Sequence, residues 1–371
     1  MVPAETPQAF HALLAGGGTG GHVFPALAVA FELRQRGWRV SFAGLAGGLE
    51  ERLATGEGLP FHPLPARPLL GKGLGAKVRS LTTLTGSALA AARLLRRLRA
   101  DVVLGTGGYV SAPAVLGARL ARRPSLLLEP NARAGVANRW LSAWAAGADV
   151  AFRETMRDLK CPCRVTGVPV RAAFFEVSPT LPPLTPPRLL VLGGSQGARQ
   201  VNELAPAAVA LFLSRTGSPL QVLHQAGAKN VEAAQAAYAA AGISETVVEV
   251  VPFLDDVAGA MAASHLLVSR AGAITIAEIC AAGRAALFLP LAIAQAHQVD
   301  NARLLAEAGA AELLAGEAAT PEALAERLAL LLGDGARLQT MGQAARGLAR
   351  PDAVSAIADH LAELAERRGT R

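Results

Sequence analysis

Short apolar runs alternate with helical hydrophobic patterns along the whole chain. In the first half, runs typical of buried strands span residues 11–15, 39–43, 101–104, 125–128, 149–152 and 164–166. In the second half they span residues 188–192, 220–224, 247–251, 266–268 and 286–289. Apolar strands separated by helices are typical of parallel sheets that are covered on both faces. The pattern therefore predicts an α/β protein whose two halves share one construction plan.

The stretch from Leu266 to Glu278 predicts an anion site in the second half. A buried strand ends at Val268, a loop of small residues holds Gly272, and a helix follows from Ile274. The first N–H groups of a helix have no partner within it, so a diphosphate can bind in front of them. Glu278, about one turn into the helix, is placed to accept hydrogen bonds from sugar hydroxyls such as those of a ribose. The alternative for Glu278 is a plain surface glutamate.

A glycine loop follows the first predicted strand, and a helix is expected to begin near Pro25. Gly16, Gly18 and Gly21 match the spacing of the dinucleotide-binding fingerprint. That fingerprint also needs an acid at the end of the second strand, and this chain has Gly44 there. NAD is therefore not the expected ligand.

Three polar loops follow three predicted strands of the first half. They hold His22, Tyr109 and Asn131. Because the carboxyl ends of strands in an open parallel sheet form the ligand crevice, these three residues are expected at one edge of the sheet.

The composition limits the class of protein. A chain of 371 residues is too long for one ordinary core, and 51% hydrophobic residues indicate a globular protein. No run of 18 apolar residues and no signal-peptide pattern occurs, so neither a spanning helix nor a leader is expected. Cys161, Cys163 and Cys280 fit neither a disulfide framework nor a zinc spacing, and a reducing cytosol is the simplest compartment. The pair Cys161 and Cys163 could bind a metal only with a second pair, which the chain lacks.

Positive charge is concentrated in the first half. Up to Val170 there are 21 Lys and Arg against 10 Asp and Glu, and from Arg171 onward there are 15 against 19. Residues 58–100 contain eight bases and no acid, together with an apolar stripe of Leu81, Leu84, Ala88, Leu95 and Leu98. This basic segment predicts contact with an anionic membrane surface, and a core helix with a solvated face is the alternative. Nucleic acid is not expected, because aromatic residues make up only 4%.

Four motifs are more specific than these patterns. Residues 17–28 read GGTGGHVFPALA, 107–111 read GGYVS, 193–199 read GGSQGAR and 270–278 read RAGAITIAE. In this order they closely resemble the MurG family, the undecaprenyl-diphospho-muramoylpentapeptide N-acetylglucosaminyltransferases. The resemblance runs from about Leu13 to the last helix.

The resemblance implies a GT-B fold, in which two Rossmann-like domains with parallel sheets face each other across a cleft. Residues 1–170 would form the acceptor-binding domain with its membrane-facing basic region, and residues 188–350 the UDP-sugar domain. Residues 171–187, with five prolines between Ser178 and Pro187, would be a stiff linker. Residues 351–371 would be a helix that returns to the first domain.

The resemblance also implies an activity. The family transfers N-acetylglucosamine from UDP-N-acetylglucosamine to the C4 hydroxyl of the lipid-linked muramoylpentapeptide, with inversion, in peptidoglycan synthesis. It implies a peripheral position on the cytoplasmic face of the bacterial inner membrane, where other cell-wall synthesis proteins are candidate partners. Neither a cofactor nor an obligatory metal is expected, since the chain has no Asp-x-Asp pair.

The family's site residues carry over by motif. The donor-binding positions are Thr19, Gly20, Gly21, Asn131, Arg171, Ser195, Leu254, Ala273, Ile274, Thr275, Glu278 and Gln298. The acceptor-binding positions are Gly18, Tyr109 and Asn138. His22 is the expected catalytic base, with Glu129 as the competing base and acceptor positioning as the other role for His22. The family's His-Glu-Gln-Asn run is Leu128–Asn131 here, so no histidine acts at that position.

Two rival functions remain open at this stage. An epimerase on the same fold would use UDP-N-acetylglucosamine alone and would not need the basic segment. A non-catalytic lipid-diphosphate binder would need neither Glu278 nor Arg171. A UDP-release assay with and without lipid acceptor separates the three.

Overall fold

The computed structural model describes residues 9–66, 74–194, 197–290 and 296–369. The chain divides into two compact units. The first unit runs to Val170 and takes up the chain again at Asp352, and the second unit comprises Arg171–Pro351.

Within the described residues, seven strands of the first unit form a parallel sheet in the order β3-β2-β1-β4-β5-β6-β7. The strands are β1 (His11–Ala15), β2 (Arg39–Gly44), β3 (Phe61–Pro63), β4 (Val102–Gly105), β5 (Ser125–Glu129), β6 (Gly147–Val150) and β7 (Cys163–Val165). The helices up to Val170 are α1 (Gly20–Gln35), α2 (Leu49–Gly56), α3 (Leu74–Leu98), α4 (Gly108–Leu120) and α5 (Val136–Leu141), with a 3₁₀ turn at Arg153–Asp158.

The second unit contains a six-stranded parallel sheet, counted over the described residues, in the order β10-β9-β8-β11-β12-β13. Its elements are α6 (Ala172–Phe175), β8 (Arg188–Leu192), α7 (Arg199–Thr216), β9 (Gln221–Gln225), α8 (Val231–Ala240), β10 (Val248–Val251), α9 (Val257–Ala262), β11 (Leu266–Ser269), α10 (Ala273–Ala282), β12 (Ala285–Phe288), α11 (Ala296–Glu307), β13 (Ala311–Leu313), α12 (Pro321–Leu332) and α13 (Gly335–Leu348), with a 3₁₀ turn at Gly316–Ala318. The last helix of the chain is α14 (Ala353–Gly369).

The first helix begins earlier than the sequence predicted. It starts at Gly20 rather than near Pro25, because Thr19 is the last extended residue, at φ −146° and ψ 156°. Pro25 therefore lies inside α1, where it cannot donate to the carbonyl of Gly21. The consequence is that His22 lies in the first turn of the helix.

The last helix packs on the first unit. Ile357 and Leu361 are fully buried in the cluster that also contains Ala30 and Leu33 of α1. Burial of an aliphatic side chain of this size stabilises a fold by about 2 kcal/mol. A buried pair adds to the contact, because His360 Nδ1 lies 2.8 Å from Asp149 Oδ1.

The proline-rich residues of the expected linker are held on the second unit. The Leu181 N–H donates to Gln339 Oε1 at 3.3 Å, and His265 Nε2 lies 3.0 Å from the carbonyl oxygen of Pro182. The guanidinium of Arg284 donates to the carbonyl of Ser178 at 2.9 Å. Residues 171–187, which were expected to be a stiff linker, are grouped with the second unit.

The apolar stripe of the basic segment lies in the core where the structure describes it. Ala88 is buried, Leu95 is buried in the cluster that contains Ala114 of α4 and Val103 of β4, and Leu84 and Leu98 are partly buried. The described part of the stripe therefore faces the core, as in the alternative of a core helix with a solvated face, and the exposed side of α3 carries arginines. Arg67 and Lys72, and the side chains of Lys77, Arg79 and Leu81, lie outside the described residues.

No helix in the described part of the chain is both long and apolar enough to cross a membrane.

Candidate functional site

The start of α10 has the geometry that the sequence predicted for an anion site. Its N-cap is Gly272, which has no side chain to cap the helix. The first intrahelical bond is donated by Ile276, to the carbonyl of Gly272 at 2.9 Å. The N–H groups of Ala273, Ile274 and Thr275 therefore have no partner within the helix, and the positive end of the helix dipole lies there. This arrangement can hold a diphosphate.

Glu278 lies one turn further along α10 and is half-buried. Its carboxylate has no hydrogen bond or ion pair among the described residues. Burial raises the pKa of Glu278 to about 7, although the nearby charge of Arg171 acts to lower it. A half-buried carboxylate without a donor is a costly arrangement for stability alone, and it marks a candidate ligand site.

Arg171 is the cation whose charge acts on the Glu278 carboxylate. It is exposed, caps the start of α6, and its guanidinium carbon lies 5.1 Å from the centre of the Phe174 ring. The helix α6 contacts α10 within the second unit, which brings the charge of Arg171 close enough to act on Glu278. A positive charge that acts on Glu278 also suits an anionic ligand bound near it.

The other expected donor residues lie on loops or helices near the carboxyl edge of the second sheet. Leu254 is half-buried in the loop after β10, and Gln298 is buried on α11. Asp256, in the same loop as Leu254, caps α9 by accepting from the Gly259 N–H at 2.8 Å. Ser195 lies outside the described residues.

Asn301 is a residue that the sequence reading missed. It is fully buried on α11, and its Nδ2 donates to the carbonyl of Ala271 at 3.1 Å. This bond fixes the loop in front of α10. Asn301 follows Gln298 by about one helical turn, and this spacing in the sequence could have indicated that the two side chains lie on the same face of α11.

Two glycine loops pack against each other in the first unit. A Cβ on Gly16 would lie 1.9 Å from Thr106 Oγ1, and one on Gly108 would lie 2.9 Å from the carbonyl oxygen of Gly17. Gly107 and Gly108 also have positive φ angles of 102° and 72°. The loops can approach this closely only because side chains are absent.

The start of α1 exposes a second set of helix N–H groups. Gly18 and Thr19 are exposed, and Gly20 and Gly21 open the helix without a side-chain cap. The carboxylate of Glu50 is buried and accepts hydrogen bonds from the N–H groups of Gly18 at 3.4 Å and Leu45 at 3.0 Å. Glu50 therefore holds the loop from below.

His22 lies between the two glycine loops. Its Nδ1 is 3.2 Å from the carbonyl oxygen of Gly17 and 3.2 Å from Thr19 Oγ1. Its Nε2 is 3.0 Å from the position that a Cβ on Gly107 would occupy. Burial is the largest influence and lowers the pKa of His22 below 6.5, although the Gly17 carbonyl and the charge of Glu129 oppose it. Burial therefore favours the neutral ring.

Glu129 is buried at the end of β5, and both of its carboxylate oxygens are occupied. Oε1 accepts from the backbone N–H of Asn131 at 3.1 Å and from its Nδ2 at 2.9 Å. Oε2 accepts from the Gly135 N–H at 2.9 Å and from Asn138 Nδ2 at 3.0 Å. Four hydrogen-bond donors hold this carboxylate in place at the end of β5.

Asn138 and Tyr109 complete the polar edge of the first sheet. Asn138 is buried, its Nδ2 also donates to the Leu128 carbonyl at 3.0 Å, and its Oδ1 has no partner among the described residues. Asn138 Nδ2 lies 3.7 Å from the same Gly107 position that His22 approaches. Tyr109 Cε1 lies 3.8 Å from the Cβ position of Gly18. The structure thus brings His22, Tyr109, Asn131 and Asn138 to one edge of the sheet.

The described residues contain no group of three His, Cys, Asp or Glu side chains arranged to hold an ion. Cys161 and Cys163 are free, and burial raises the pKa of the Cys161 thiol to about 12. A thiol that stays protonated at neutral pH is a poor metal ligand.

Comparison with known proteins assigns both units. The glycosyltransferase family 28 N-terminal domain matches residues 12–149, and the family 28 C-terminal domain matches residues 188–357. A protein of Halorhodospira halophila is 44% identical over 358 residues, which are 95% of this chain and 98% of that protein. A protein of Stutzerimonas stutzeri is 42% identical over 96% of this chain and 99% of its own length. Both are named UDP-N-acetylglucosamine--N-acetylmuramyl-(pentapeptide) pyrophosphoryl-undecaprenol N-acetylglucosamine transferase.

Solved structures give the same result. The crystal structure of Acinetobacter baumannii MurG matches with a TM-score of 0.80 and 35% identity, over 95% of this chain and 99% of that one. A putative UDP-N-acetylglucosamine 2-epimerase from Listeria monocytogenes matches with a TM-score of 0.66 and 14% identity, over 95% of each chain, which shows a common fold alone. The chain has the GT-B fold and belongs to the MurG family of N-acetylglucosaminyltransferases, within glycosyltransferase family 28.

Proposed function

We propose that this chain transfers N-acetylglucosamine from UDP-N-acetylglucosamine to the C4 hydroxyl of the muramoyl sugar on a diphosphate-linked polyprenyl carrier, with inversion. The activity in the names of its full-length relatives supports the substrates. The observation that carries the donor assignment is the unpaired carboxylate of Glu278, one turn beyond an uncapped helix start. Together these two features fit the ribose and the diphosphate of a UDP-sugar.

Donor binding follows from the charges of the second unit. The diphosphate accepts hydrogen bonds from the N–H groups of Ala273, Ile274 and Thr275. Arg171 adds a full positive charge beside them, and Glu278 accepts from the ribose hydroxyls. We assign Leu254 to the uracil and Gln298 to the sugar, and we keep Ser195 as a donor-binding position on the basis of its motif alone.

The transfer step needs one proton acceptor and one place for negative charge. A new bond forms between the acceptor C4 oxygen and the anomeric carbon as the bond from that carbon to the diphosphate oxygen breaks. His22 Nε2 takes the proton of the attacking hydroxyl. The departing UDP carries negative charge, which the helix start stabilises without reorganising. These donors replace a metal ion, so we expect the sugar transfer to proceed without one.

The tautomer of His22 supports its role as the base. A backbone carbonyl can only accept a hydrogen bond, so Nδ1 carries the proton opposite Gly17. The neutral ring then presents an unprotonated Nε2. Glu129 has no such free position, and we assign it to holding Asn131 and Asn138. Gly18 and Tyr109 are left to contact the acceptor, whereas Asn138 is buried and donates to Glu129.

A membrane surface would present the lipid-linked acceptor. On α3 the arginines Arg93, Arg96 and Arg97 are exposed. On and after α5, Trp140 and Trp144 are 45% and 47% exposed, and tryptophan favours the interface of a bilayer. We assign membrane contact to these charges and indole rings, at the cytoplasmic face where the nucleotide donor is available, and recruitment by other cell-wall synthesis proteins is compatible with it.

The experiment that tests the proposal is UDP release with and without the lipid acceptor. A transferase releases UDP only when acceptor is present. An epimerase would convert the sugar without acceptor, and a lipid-diphosphate binder would release no UDP under either condition. UDP release that does not depend on acceptor would overturn the proposal.

A further inference from the structure

A basic pocket lies at the edge of the first sheet where its strands begin. It has a volume of about 410 Å³ and is lined by Ala9, Phe10, Arg39, Arg99, Asp101, Arg123 and Arg368. The glycine loops follow the opposite ends of the same strands. A five-residue strand such as β1 separates the two edges by about 15 Å. The pocket is therefore separate from the catalytic edge of this unit.

The charges of the pocket are not balanced. Four arginines meet one carboxylate, and Asp101 is already used: its Oδ1 pairs with Arg368, and its Oδ2 accepts from the His11 N–H at 2.9 Å. The side chains of Arg39, Arg99 and Arg123 have no ion pair and no hydrogen bond within the part of the chain that the structure describes. Three guanidinium groups thus face the pocket without a counter-charge.

Arg123 gives a second and independent observation. Its Nε is buried and has no hydrogen-bond partner among the described residues. A buried donor without an acceptor is destabilising, since it has lost its bond to water and gained none in return. An anion in the pocket would supply the missing acceptor.

The backbone around the pocket gives a third observation. Arg99 and Arg122 have positive φ angles of 53° and 56°, at the ends of α3 and α4. At both ends the next residue closes the helix with a backbone hydrogen bond. The N–H of Ala100 donates to the carbonyl of Leu95, and the backbone N–H of Arg123 donates to the carbonyl of Ala118. Glycine is usual at such a position, because a side chain there is strained. A cation at a helix end interacts well with the helix dipole, but that does not explain Arg39, which begins a strand.

We propose that this pocket binds a phosphate-bearing anion, at a site distinct from those of the sugar donor and the acceptor. Guanidinium groups recognise phosphate through paired, charge-assisted hydrogen bonds. The volume suits a diphosphate with part of an attached group. Such an anion would bridge the end of α14, through Arg368, to the ends of α3 and α4. The source of the phosphate is either a soluble compound or a lipid headgroup.

The test is calorimetric titration of the full-length chain with inorganic pyrophosphate, in the presence of saturating UDP to occupy the donor site. The double variant Arg39→Gln, Arg123→Gln should weaken the dissociation constant about tenfold or more, because two charge-assisted contacts are lost. The control Arg188→Gln, Arg215→Gln removes two exposed arginines of the second unit and should leave it unchanged. If the loss of Arg123 makes the double variant unstable, Arg99→Gln takes its place in the test. Arg99 is exposed, and its replacement should also weaken pyrophosphate binding.

A second arm identifies the source of the phosphate. The same variants are sedimented with vesicles of phosphatidylglycerol and, as a neutral comparison, phosphatidylcholine. Loss of phosphatidylglycerol binding together with pyrophosphate binding assigns the pocket to a lipid headgroup, and loss of pyrophosphate binding alone assigns it to a soluble anion. If the pocket variants, folded as judged by thermal unfolding, bind pyrophosphate and vesicles like the unaltered chain, the proposal is wrong.

Discussion

His22 and Gly17 determine which nitrogen of the proposed catalytic ring is free. The Nδ1 atom of His22 lies 3.2 Å from the Gly17 carbonyl oxygen, which can only accept a hydrogen bond. The neutral ring therefore carries its proton on Nδ1. Nε2 is left with a lone pair, at the point where the two glycine loops meet.

Replacing His22 tests its assignment as the base. We expect His22→Ala to lower kcat by on the order of 100-fold or more while UDP binding stays within about twofold, because the donor groups lie in the second unit. His62→Ala, which changes a half-buried histidine outside the glycine loops, is the matched control. An unchanged kcat with a raised KM for the acceptor would assign His22 to positioning instead.

The pH profile gives a separate test of the same residue. Burial lowers the pKa of His22 below 6.5, and the ring must be neutral to accept a proton. Activity at saturating donor should therefore persist as the pH falls to 6.5 and be lost only below it. An acid limb with its midpoint above 6.5 at saturating donor would contradict this environment for the ring.

Donor binding should release a proton. The pKa of Glu278 is about 7, so a substantial fraction of the free protein carries a protonated Glu278 at about pH 6, whereas ribose binding requires the carboxylate. Calorimetry with UDP-N-acetylglucosamine in buffers of different ionisation enthalpy should report close to one proton released at about pH 6, and almost none at about pH 8. Glu278→Gln should abolish this release and weaken binding by about 1.5–3 kcal/mol. Glu249→Gln, on the exposed part of β10, serves as control, and proton release that survives in Glu278→Gln would exclude this carboxylate.

The same carboxylate should lower the stability of the ligand-free protein. Its pKa in the folded state is raised, so the folded state resists ionisation and loses stability as the pH rises from 4.5 through about 7. Glu278→Gln should therefore raise the unfolding temperature at about pH 8, by an amount equivalent to at most about 3 kcal/mol, and have little effect at about pH 4. A lower unfolding temperature at about pH 8 would indicate that Glu278 stabilises the fold.

Membrane contact depends on two kinds of residue that can be separated. The triple variant Arg93→Glu, Arg96→Glu, Arg97→Glu should lose binding to phosphatidylglycerol vesicles, as should the unaltered chain in about 0.5 M salt. Trp140→Ala with Trp144→Ala should weaken binding without changing its dependence on salt. Retained vesicle binding in all of these variants would place the contact on another surface.

The order of strands and helices was predictable because the apolar runs of the central strands are buried on both faces. The edge strands β3 and β13 were not predicted, since three residues with Pro63 at the end of β3 give no apolar run. The start of α1 was misplaced by Pro25, whose preference for a first turn is weaker than the geometry that the glycine loop imposes. For the basic segment on α3, a membrane surface and a core helix both stayed open, because the spacing of its apolar stripe does not distinguish a helix that packs on a core from one that lies on a bilayer.

The candidate site was predictable only where a motif carried it. Glu278 and the helix start before it could be reasoned from the residues themselves. Glu50 and Asn301 were missed because their role is to hold loops from beneath, and only the packed structure shows which backbone groups they reach. Glu129 stayed the competing base in the sequence analysis, and its four hydrogen bonds could not be foreseen there, because their donors come from residues up to nine positions further along the chain.

The most direct test of the proposed function follows the sugar itself. UDP-N-acetylglucosamine labelled in the sugar is incubated with the chain and with diphosphate-linked muramoylpentapeptide lipid, and the lipid is extracted. We predict that the label enters the lipid fraction in step with UDP release, as a β-linked sugar, and that Glu278→Gln and His22→Ala both prevent it. Label that stays entirely in the water-soluble fraction while UDP-N-acetylglucosamine is consumed would contradict the assignment.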